Sequence, residues 1–99
     1  KLAHLFSGLR GLLGDAPVPP ENIMTVYGDY VGTGYGIPTH QSKEAQRLLA
    51  LHEGIITENV YTSKALAGML DLIRRNIIPA HEPCCFIHTG GMGALFAQT

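Results

Sequence analysis

A tyrosine, two hydroxyl residues and a lysine stand together in residues 59–65, NVYTSKA, and are the first candidates for chemistry in this sequence. An apolar run precedes the stretch and a helical pattern follows it, so its side chains lie at the start of a helix and can reach a ligand. Thr62 or Ser63 can instead cap that helix, and Tyr61 can pack on the core. Lys64 is expected to be a solvent-exposed residue of the first turn. No serine stands three residues before it, which excludes an SxxK nucleophile motif.

A second candidate is the stretch HTGG, residues 88–91, which lies between a predicted strand and a predicted helix. The carboxyl ends of parallel strands are where α/β proteins hold ligands. The helix that follows offers free N–H groups and the positive end of its dipole. Thr89 can direct its hydroxyl at a ligand atom, or it can serve as the helix cap. The sequence gives these two interpretations equal weight.

The glycine-rich stretch GTGYG, residues 32–36, has the beginning of a nucleotide-binding pattern. Ile37 occupies the position of the third glycine of that pattern, and no Walker lysine follows at the required spacing. A phosphate-binding loop is therefore disfavoured. The glycines instead indicate tight turns that present Tyr35.

Two cysteines and two histidines in residues 81–88, HEPCCFIH, are potential metal ligands. Their spacing matches no standard zinc pattern, and the five histidines of the chain form no HExxH pair. We therefore predict no metal site. Cys84 and Cys85 are better explained as small buried residues of a core strand.

Helices and strands must position these candidate residues. Apolar residues at helical spacing predict helices over residues 2–13, 42–53, 63–75 and 92–98. Runs rich in β-branched and aromatic residues predict strands over residues 23–31, 55–57 and 84–88. Because strands alternate with helices, the sequence predicts an α/β fold with a partial parallel sheet and flanking helices.

The composition excludes several classes of protein. Apolar residues make up 45% of the 99 residues and charged residues 15%, which excludes a disordered chain. The net charge of −1 and the absence of a basic patch exclude nucleic acid as a partner. The longest apolar runs are far too short to span a membrane. The adjacent cysteines are poorly placed to pair with each other, which favours a reducing, cytoplasmic location.

The predicted sheet is small for an independent domain. Two or three strands leave exposed edges and one poorly covered face, so we expect the chain to be part of a larger domain. The first residue is Lys1, and a helical pattern begins at once, which also suggests a fragment or a processed piece.

Three segments in this order resemble a known family: DYVGTGYGIPT, LLALHEGIITENVYTSKALAGMLDLI and FIHTGGMGALFA. They are similar to the C-terminal part of the D-cysteine desulfhydrases and 1-aminocyclopropane-1-carboxylate deaminases, and they span about residues 29–97. The sequence departs from the family at Thr33, where GPGYG is usual, and at Ser63, where VYxGK has glycine. The resemblance implies a pyridoxal-phosphate enzyme of the type II, tryptophan-synthase-β-like fold.

The resemblance also implies residue roles. Tyr35 and Tyr61 are expected near the cofactor and substrate as catalytic residues, with either phenol able to assist proton transfer. Thr89, Thr62 and Gly90 are expected to bind the cofactor, with Thr89 beside the pyridine nitrogen. Cyclopropane deaminases carry glutamate at the position of Thr62, whereas the desulfhydrase branch carries threonine. A neutral hydroxyl favours the pyridine proton less than a carboxylate does. Thr62 therefore favours α,β-elimination of D-cysteine to pyruvate, ammonia and sulfide.

In this interpretation residues 1–99 are a C-terminal fragment of the larger, cofactor-binding domain of the parent enzyme. The Schiff-base lysine and the main phosphate-binding loop lie upstream, so the isolated chain is expected to be inactive. We expect a small amino-acid substrate and a homodimeric parent. The alternatives within the family are a cyclopropane deaminase and a sulfo-lyase acting on cysteate. The alternative of another class is a non-catalytic α/β interaction module.

Overall fold

The computed structural model describes residues 1–14 and 22–97. It contains the helices α1 (Leu2–Leu13), α2 (His40–Glu53) and α3 (Thr62–Arg74) and a 3₁₀ helix, Met92–Ala97. The three predicted α-helices are confirmed to within two residues at each end. The last predicted helix is present as the 3₁₀ helix, and its final residue, Gln98, lies outside the described residues.

The predicted partial parallel sheet is wrong. In the two described ranges the regular structure is helical, and no residue belongs to a strand. A strand exists only where its backbone groups pair with a neighbour. Residues 55–58 instead bind side chains: the carbonyl of Thr57 accepts from Gln46 Nε2 at 2.6 Å, and the ring nitrogen His88 Nε2 lies 2.8 Å from the carbonyl oxygen of Ile56. The predicted strand segments are therefore extended connections, and the described chain is all-α rather than α/β.

α1 contributes no buried residue to the core. The helix ends at Gly14, which has a positive φ of 73°. Its apolar residues lie at helical spacing, as the sequence predicts, but the described chain packs no other helix against them. The large side chains exposed on it are Leu2, Leu5, Leu9, Leu12 and Leu13.

α2 has defined signals at both ends. Thr39 and Ser42 form a capping box, in which each side chain accepts the other's backbone N–H at 2.9 Å. Gly54 ends the helix in the left-handed conformation with φ 65°, and its N–H donates to Ala50 O at 3.1 Å. Because of the capping box, α2 begins two residues earlier than the hydrophobic pattern predicts, whereas its end is as predicted.

α2 and α3 pack against each other and form the apolar core. Ala45 of α2 meets Leu66 and Ala67 of α3, and all three are buried. The partly buried residues around them are Leu49, Met69, Leu70 and Phe86. Small side chains at the centre of this contact let the two helices approach closely, and α3 is thereby held in a fixed orientation.

A chain of buried polar side chains joins α2 to the segment before α3. Ser42 Oγ donates to Asn59 Oδ1, and Asn59 Nδ2 donates to Gln46 Oε1, both at 2.7 Å. At the other end, the hydroxyls of Thr57 and Ser63 lie 2.7 Å apart. Among the described residues no buried side-chain nitrogen or oxygen lacks a hydrogen-bond partner. A fully satisfied network of this kind fixes the entry of the chain into α3.

The 3₁₀ helix begins immediately after Gly91. The carbonyl of Gly91 accepts the N–H of Ala94 at 3.0 Å, so Gly91 opens the first turn. Thr89 lies two residues before that position and does not cap the helix. No helix in the described part of the chain has the length and apolar character that crossing a membrane would need.

Candidate functional site

The start of α3 is built around the carboxylate of Glu58. This carboxylate accepts the backbone N–H groups of Val60 at 2.6 Å, Tyr61 at 3.0 Å and Thr62 at 2.8 Å. The Glu58 N–H donates in return to Thr62 Oγ1 at 3.0 Å, and the Thr62 hydroxyl lies 3.0 Å from Glu58 Oε1. Glu58 therefore caps the N–H groups that lead into α3, while Tyr61, rather than the predicted Thr62 or Ser63, occupies the N-cap position.

The environment of Glu58 keeps it ionised. Burial raises the pKa of its carboxyl group, but the hydrogen bonds from the N–H groups of Thr62, Val60 and Tyr61 and from the Thr62 hydroxyl more than offset this, and the pKa lies below its usual value. A negative charge also interacts favourably with the positive end of a helix dipole. Sequence analysis overlooked Glu58, although an acidic residue just before a helical pattern is a known signal of a helix start.

Lys64 ties α3 to the glycine loop, residues 31–37. Its side chain is only 7% exposed, and Nζ donates to Val31 O at 2.7 Å and to Gly34 O at 3.2 Å. The expectation that Lys64 is solvent-exposed is therefore wrong. The lysine reaches a loop some thirty residues earlier in the chain, a contact that local sequence gives no sign of.

Tyr30, which immediately precedes the same loop, also binds α3. Its hydroxyl donates to Asp71 Oδ2 at 2.7 Å. The ring lies directly on α3 at Gly68, where a Cβ atom would be 2.9 Å from Tyr30 Cδ2. The hydrogen bond to Asp71, followed by desolvation, raises the pKa of Tyr30, and the same bond lowers the pKa of Asp71. The loop is therefore anchored to α3 at Tyr30, Val31 and Gly34.

These anchors bring the two predicted catalytic tyrosines together. The hydroxyls of Tyr35 and Tyr61 are hydrogen-bonded, and the rings meet edge to face with centroids 5.8 Å apart. Their side chains are largely accessible, at 78% and 55% exposure. The hydrogen bond from Tyr35 raises the pKa of Tyr61, and desolvation and the charge of Glu58 act in the same direction. Tyr61 therefore keeps its proton at neutral pH and is available as a donor.

The tyrosine pair lies on an open groove of about 570 Å³. Its walls are aromatic and aliphatic, with contributions from Tyr27, Met69 and Ile78, and Lys64 lines it as well. A volume of this order is typical of a small-molecule site, in which a few polar groups orient a ligand on apolar walls. The groove thus presents two phenol hydroxyls to a ligand on a mainly apolar surface.

The HTGG stretch lies against the cap of α3. Gly91 has a φ of 86°, and a Cβ atom there would be 2.7 Å from Glu58 Cγ, so the backbone packs directly on that side chain. Gly90 also has a positive φ, 99°, and its N–H donates to His88 Nδ1 at 3.1 Å. The side chain of Thr89 is exposed. Glu58 therefore connects this stretch to Tyr61 and Thr62, whereas the cofactor-binding roles of Thr89, Thr62 and Gly90 stay predictions.

The two cysteines do not lie in the core strand that the sequence predicted. Cys84 and Cys85 are both exposed, so the prediction that they are buried is wrong. Cys84 Sγ lies 3.8 Å from Met69 Sδ. A search of the described residues finds no group of three or more metal-ligating side chains.

A comparison with known protein families gives a match to this chain. A family model described as "Pyridoxal-phosphate dependent enzyme" matches residues 4–90. The match covers well over half of the chain and includes α1, α2, α3, the glycine loop and the first part of the HTGG stretch. It extends the similarity noted in the sequence toward the amino terminus, into residues where the motifs are least distinct.

Proposed function

We propose that this chain, which belongs to the family of pyridoxal-phosphate dependent enzymes, is part of a lyase that eliminates sulfide from D-cysteine. The products of this α,β-elimination are pyruvate, ammonia and sulfide. The observation that supports the proposal is the hydrogen-bonded pair Tyr35–Tyr61 on the groove. Pyridoxal phosphate is the cofactor of the family, and the prediction of this cofactor is confirmed at that level.

The described residues fit part of what pyridoxal phosphate requires. Such sites provide a lysine for the imine and a partner for the pyridine nitrogen. Tyr35, Tyr61 and Thr89 are accessible hydroxyls suited to the polar edges of the cofactor or substrate. Lys64 does not fit the imine role, because its ammonium already donates to Val31 O and Gly34 O. When bound, the cofactor supplies the electron chemistry of the elimination.

The engaged state of Lys64 supports a further part of the proposal. Residues 1–99 form the C-terminal portion of a larger cofactor domain, and the Schiff-base lysine comes from an upstream segment. Lys1 and Lys43 are exposed and do not line the groove. A homodimeric, cytoplasmic parent with a small amino-acid substrate completes the proposal.

The tyrosine pair gives this chain its own role in the reaction. Breaking the C–S bond leaves negative charge on sulfur, and a donor held where that charge develops stabilises the transition state. Tyr61 is suited to donate a hydrogen bond, because its hydroxyl lines the groove and its raised pKa keeps it protonated. Tyr35 holds the phenol in place across the groove. The Tyr61 hydroxyl donates a hydrogen bond to the departing hydrosulfide and keeps its own proton.

Thr62 supports elimination rather than ring opening. Its hydroxyl is buried and hydrogen-bonded to Glu58, so the position carries a neutral group. A carboxylate there would favour a protonated pyridine nitrogen, which suits a cyclopropane substrate. The cyclopropane deaminase and the cysteate sulfo-lyase are the alternatives within the family.

Product analysis of the full-length enzyme tests the proposal. The enzyme is incubated separately with D-cysteine, cysteate and 1-aminocyclopropane-1-carboxylate, and sulfide, sulfite and 2-oxobutanoate are measured. We expect sulfide from D-cysteine to be the fastest product. Dominant sulfite or 2-oxobutanoate assigns the enzyme to one of the two alternatives. A protein without visible imine absorption in the presence of pyridoxal phosphate would instead be a non-catalytic interaction module.

A further inference from the structure

Lys64 is a buried cation whose hydrogen bonds all go to one loop. The ammonium is almost fully covered, and Nζ donates to Val31 O at 2.7 Å and Gly34 O at 3.2 Å. Among the residues that the structure describes, no carboxylate lies within 4.0 Å of Nζ. A buried charge is tolerated where hydrogen bonds replace its hydration. The two carbonyls therefore stabilise the ammonium, and the ammonium in turn fixes the loop.

The two carbonyls lie just before Tyr35 in the chain. Gly34 O also accepts the N–H of Ile37 at 3.3 Å, which closes a turn around the tyrosine. Tyr61 immediately precedes α3, and Lys64 lies in the first turn of that helix. The ammonium thus bridges the base of Tyr35 to the start of α3, next to Tyr61.

We propose that Lys64 is a positioning residue that holds the glycine loop so that the Tyr35 hydroxyl meets the Tyr61 hydroxyl. Tyr35 is exposed, and the loop that carries it has no regular secondary structure. Contacts at the base of the loop must therefore set the direction of the ring. The importance of this position for turnover rests on the proposed function, whereas the positioning itself is measurable without cofactor.

The first test measures the pKa of Tyr61 in the cofactor-free full-length enzyme. Tyrosine labelled with ¹³C at Cζ is titrated by NMR, and the Tyr61→Phe variant assigns the Tyr61 signal. We expect the raised pKa of Tyr61 to return toward the ordinary tyrosine value in Lys64→Met, and we expect the same in Tyr35→Phe. The matched control Lys43→Met, at an exposed position of α2, retains the wild-type titration.

The second test is a double-mutant cycle on sulfide release. We expect Lys64→Met to lower kcat/KM by about 10- to 100-fold, the loss typical of a small misplacement of a reacting group. Because Lys64 acts through Tyr35, adding Lys64→Met to Tyr35→Phe should cause little further loss. Lys64→Arg keeps N–H donors at the position and should restore part of the Tyr61 titration shift.

An unchanged Tyr61 titration in Lys64→Met overturns the proposal, and so do fully additive losses in the cycle. If Lys64→Met does not fold, Lys64→Gln, which keeps an N–H donor, takes its place in both tests. A wild-type enzyme that releases no sulfide but shows the titration change contradicts the proposed function and leaves the positioning role established. The two proposals can therefore fail separately.

Discussion

At the start of α3, Glu58 affects both the position and the pKa of Tyr61. Glu58 binds the backbone N–H of Tyr61, and its charge contributes to the raised pKa of the phenol. Tyr35 contributes more, through a direct hydrogen bond. The result is a phenol that is accessible, protonated and held by its neighbours, which suits a hydrogen-bond donor better than a base.

Removal of the Tyr61 hydroxyl should therefore affect the chemical step. For Tyr61→Phe we expect kcat for sulfide release to fall by about 10²- to 10³-fold, the usual loss when one hydrogen-bond donor to a developing negative charge is removed. KM should change little, because the apolar ring stays in the groove. Steady-state kinetics of the full-length enzyme measure both constants. A kcat close to that of the wild type would exclude Tyr61 as the donor.

Glu58→Gln removes a buried charge that receives several hydrogen bonds. We expect the variant to be destabilised by about 1–3 kcal/mol, the cost of losing bonds to a charged group. The exposed Glu53→Gln serves as the control and should change stability little. Because the pKa of Glu58 is lowered on folding, its contribution is complete above the unfolded pKa of about 4.3 and is lost as pH falls through the lower folded pKa. Denaturant titrations at several pH values would contradict this if the difference between wild type and variant did not shrink in acid.

At the scale of elements, α3 is the scaffold of the site. It follows directly on Tyr61, carries Lys64 in its first turn and packs its centre on α2, while Gly68 makes room for the ring of Tyr30. Glycine normally weakens a helix, so its presence here requires a packing reason. Close contact between the ring and the helix backbone supplies that reason, and the same contact holds one end of the glycine loop.

Gly68→Ala should destabilise the protein, although replacing glycine by alanine inside a helix is usually stabilising. Alanine gains about 1 kcal/mol of helix propensity, but its Cβ would lie 2.9 Å from Tyr30 Cδ2. Overpacking of this kind costs about 1–3 kcal/mol, so we expect net destabilisation and a weakened Tyr30–Asp71 hydrogen bond. The matched control is Gly11→Ala in α1, where nothing lies within 4 Å and stability should rise. Equal denaturation midpoints for the two variants would contradict the packing argument.

The helices could be predicted from sequence because apolar spacing determines which helix face is buried, and α3 shows this most clearly. The sheet could not, because apolar runs such as residues 84–88 carry no information about which groups their backbone will bind. The family resemblance predicted Tyr35 and Tyr61 near one ligand, but it did not predict their direct hydrogen bond. The contact of Lys64 with Gly34 had no local signal, since it joins residues far apart in the chain.

At the scale of the whole molecule, the described chain is divided between a packed part and an uncovered part. α2, α3 and the glycine loop hold one another through an apolar core and a satisfied polar network. The leucine face of α1, by contrast, is exposed. In the groove, two phenol hydroxyls are accessible, whereas the ammonium of Lys64 is bound by Val31 O and Gly34 O.

The hydrogen bonds of Lys64 lead to a prediction about the origin of the imine lysine. Sodium borohydride reduction of the full-length enzyme with pyridoxal phosphate, followed by peptide mass analysis, identifies the lysine that forms the imine. We expect the modified lysine to lie outside residues 1–99, because Lys64 is buried and its ammonium is bound by Val31 and Gly34. Lys43 is exposed and controls for nonspecific labelling, which should be slow and lost when the cofactor is limiting. Stoichiometric modification of Lys64 would show that the loop contact opens during catalysis and that the imine lysine belongs to this chain.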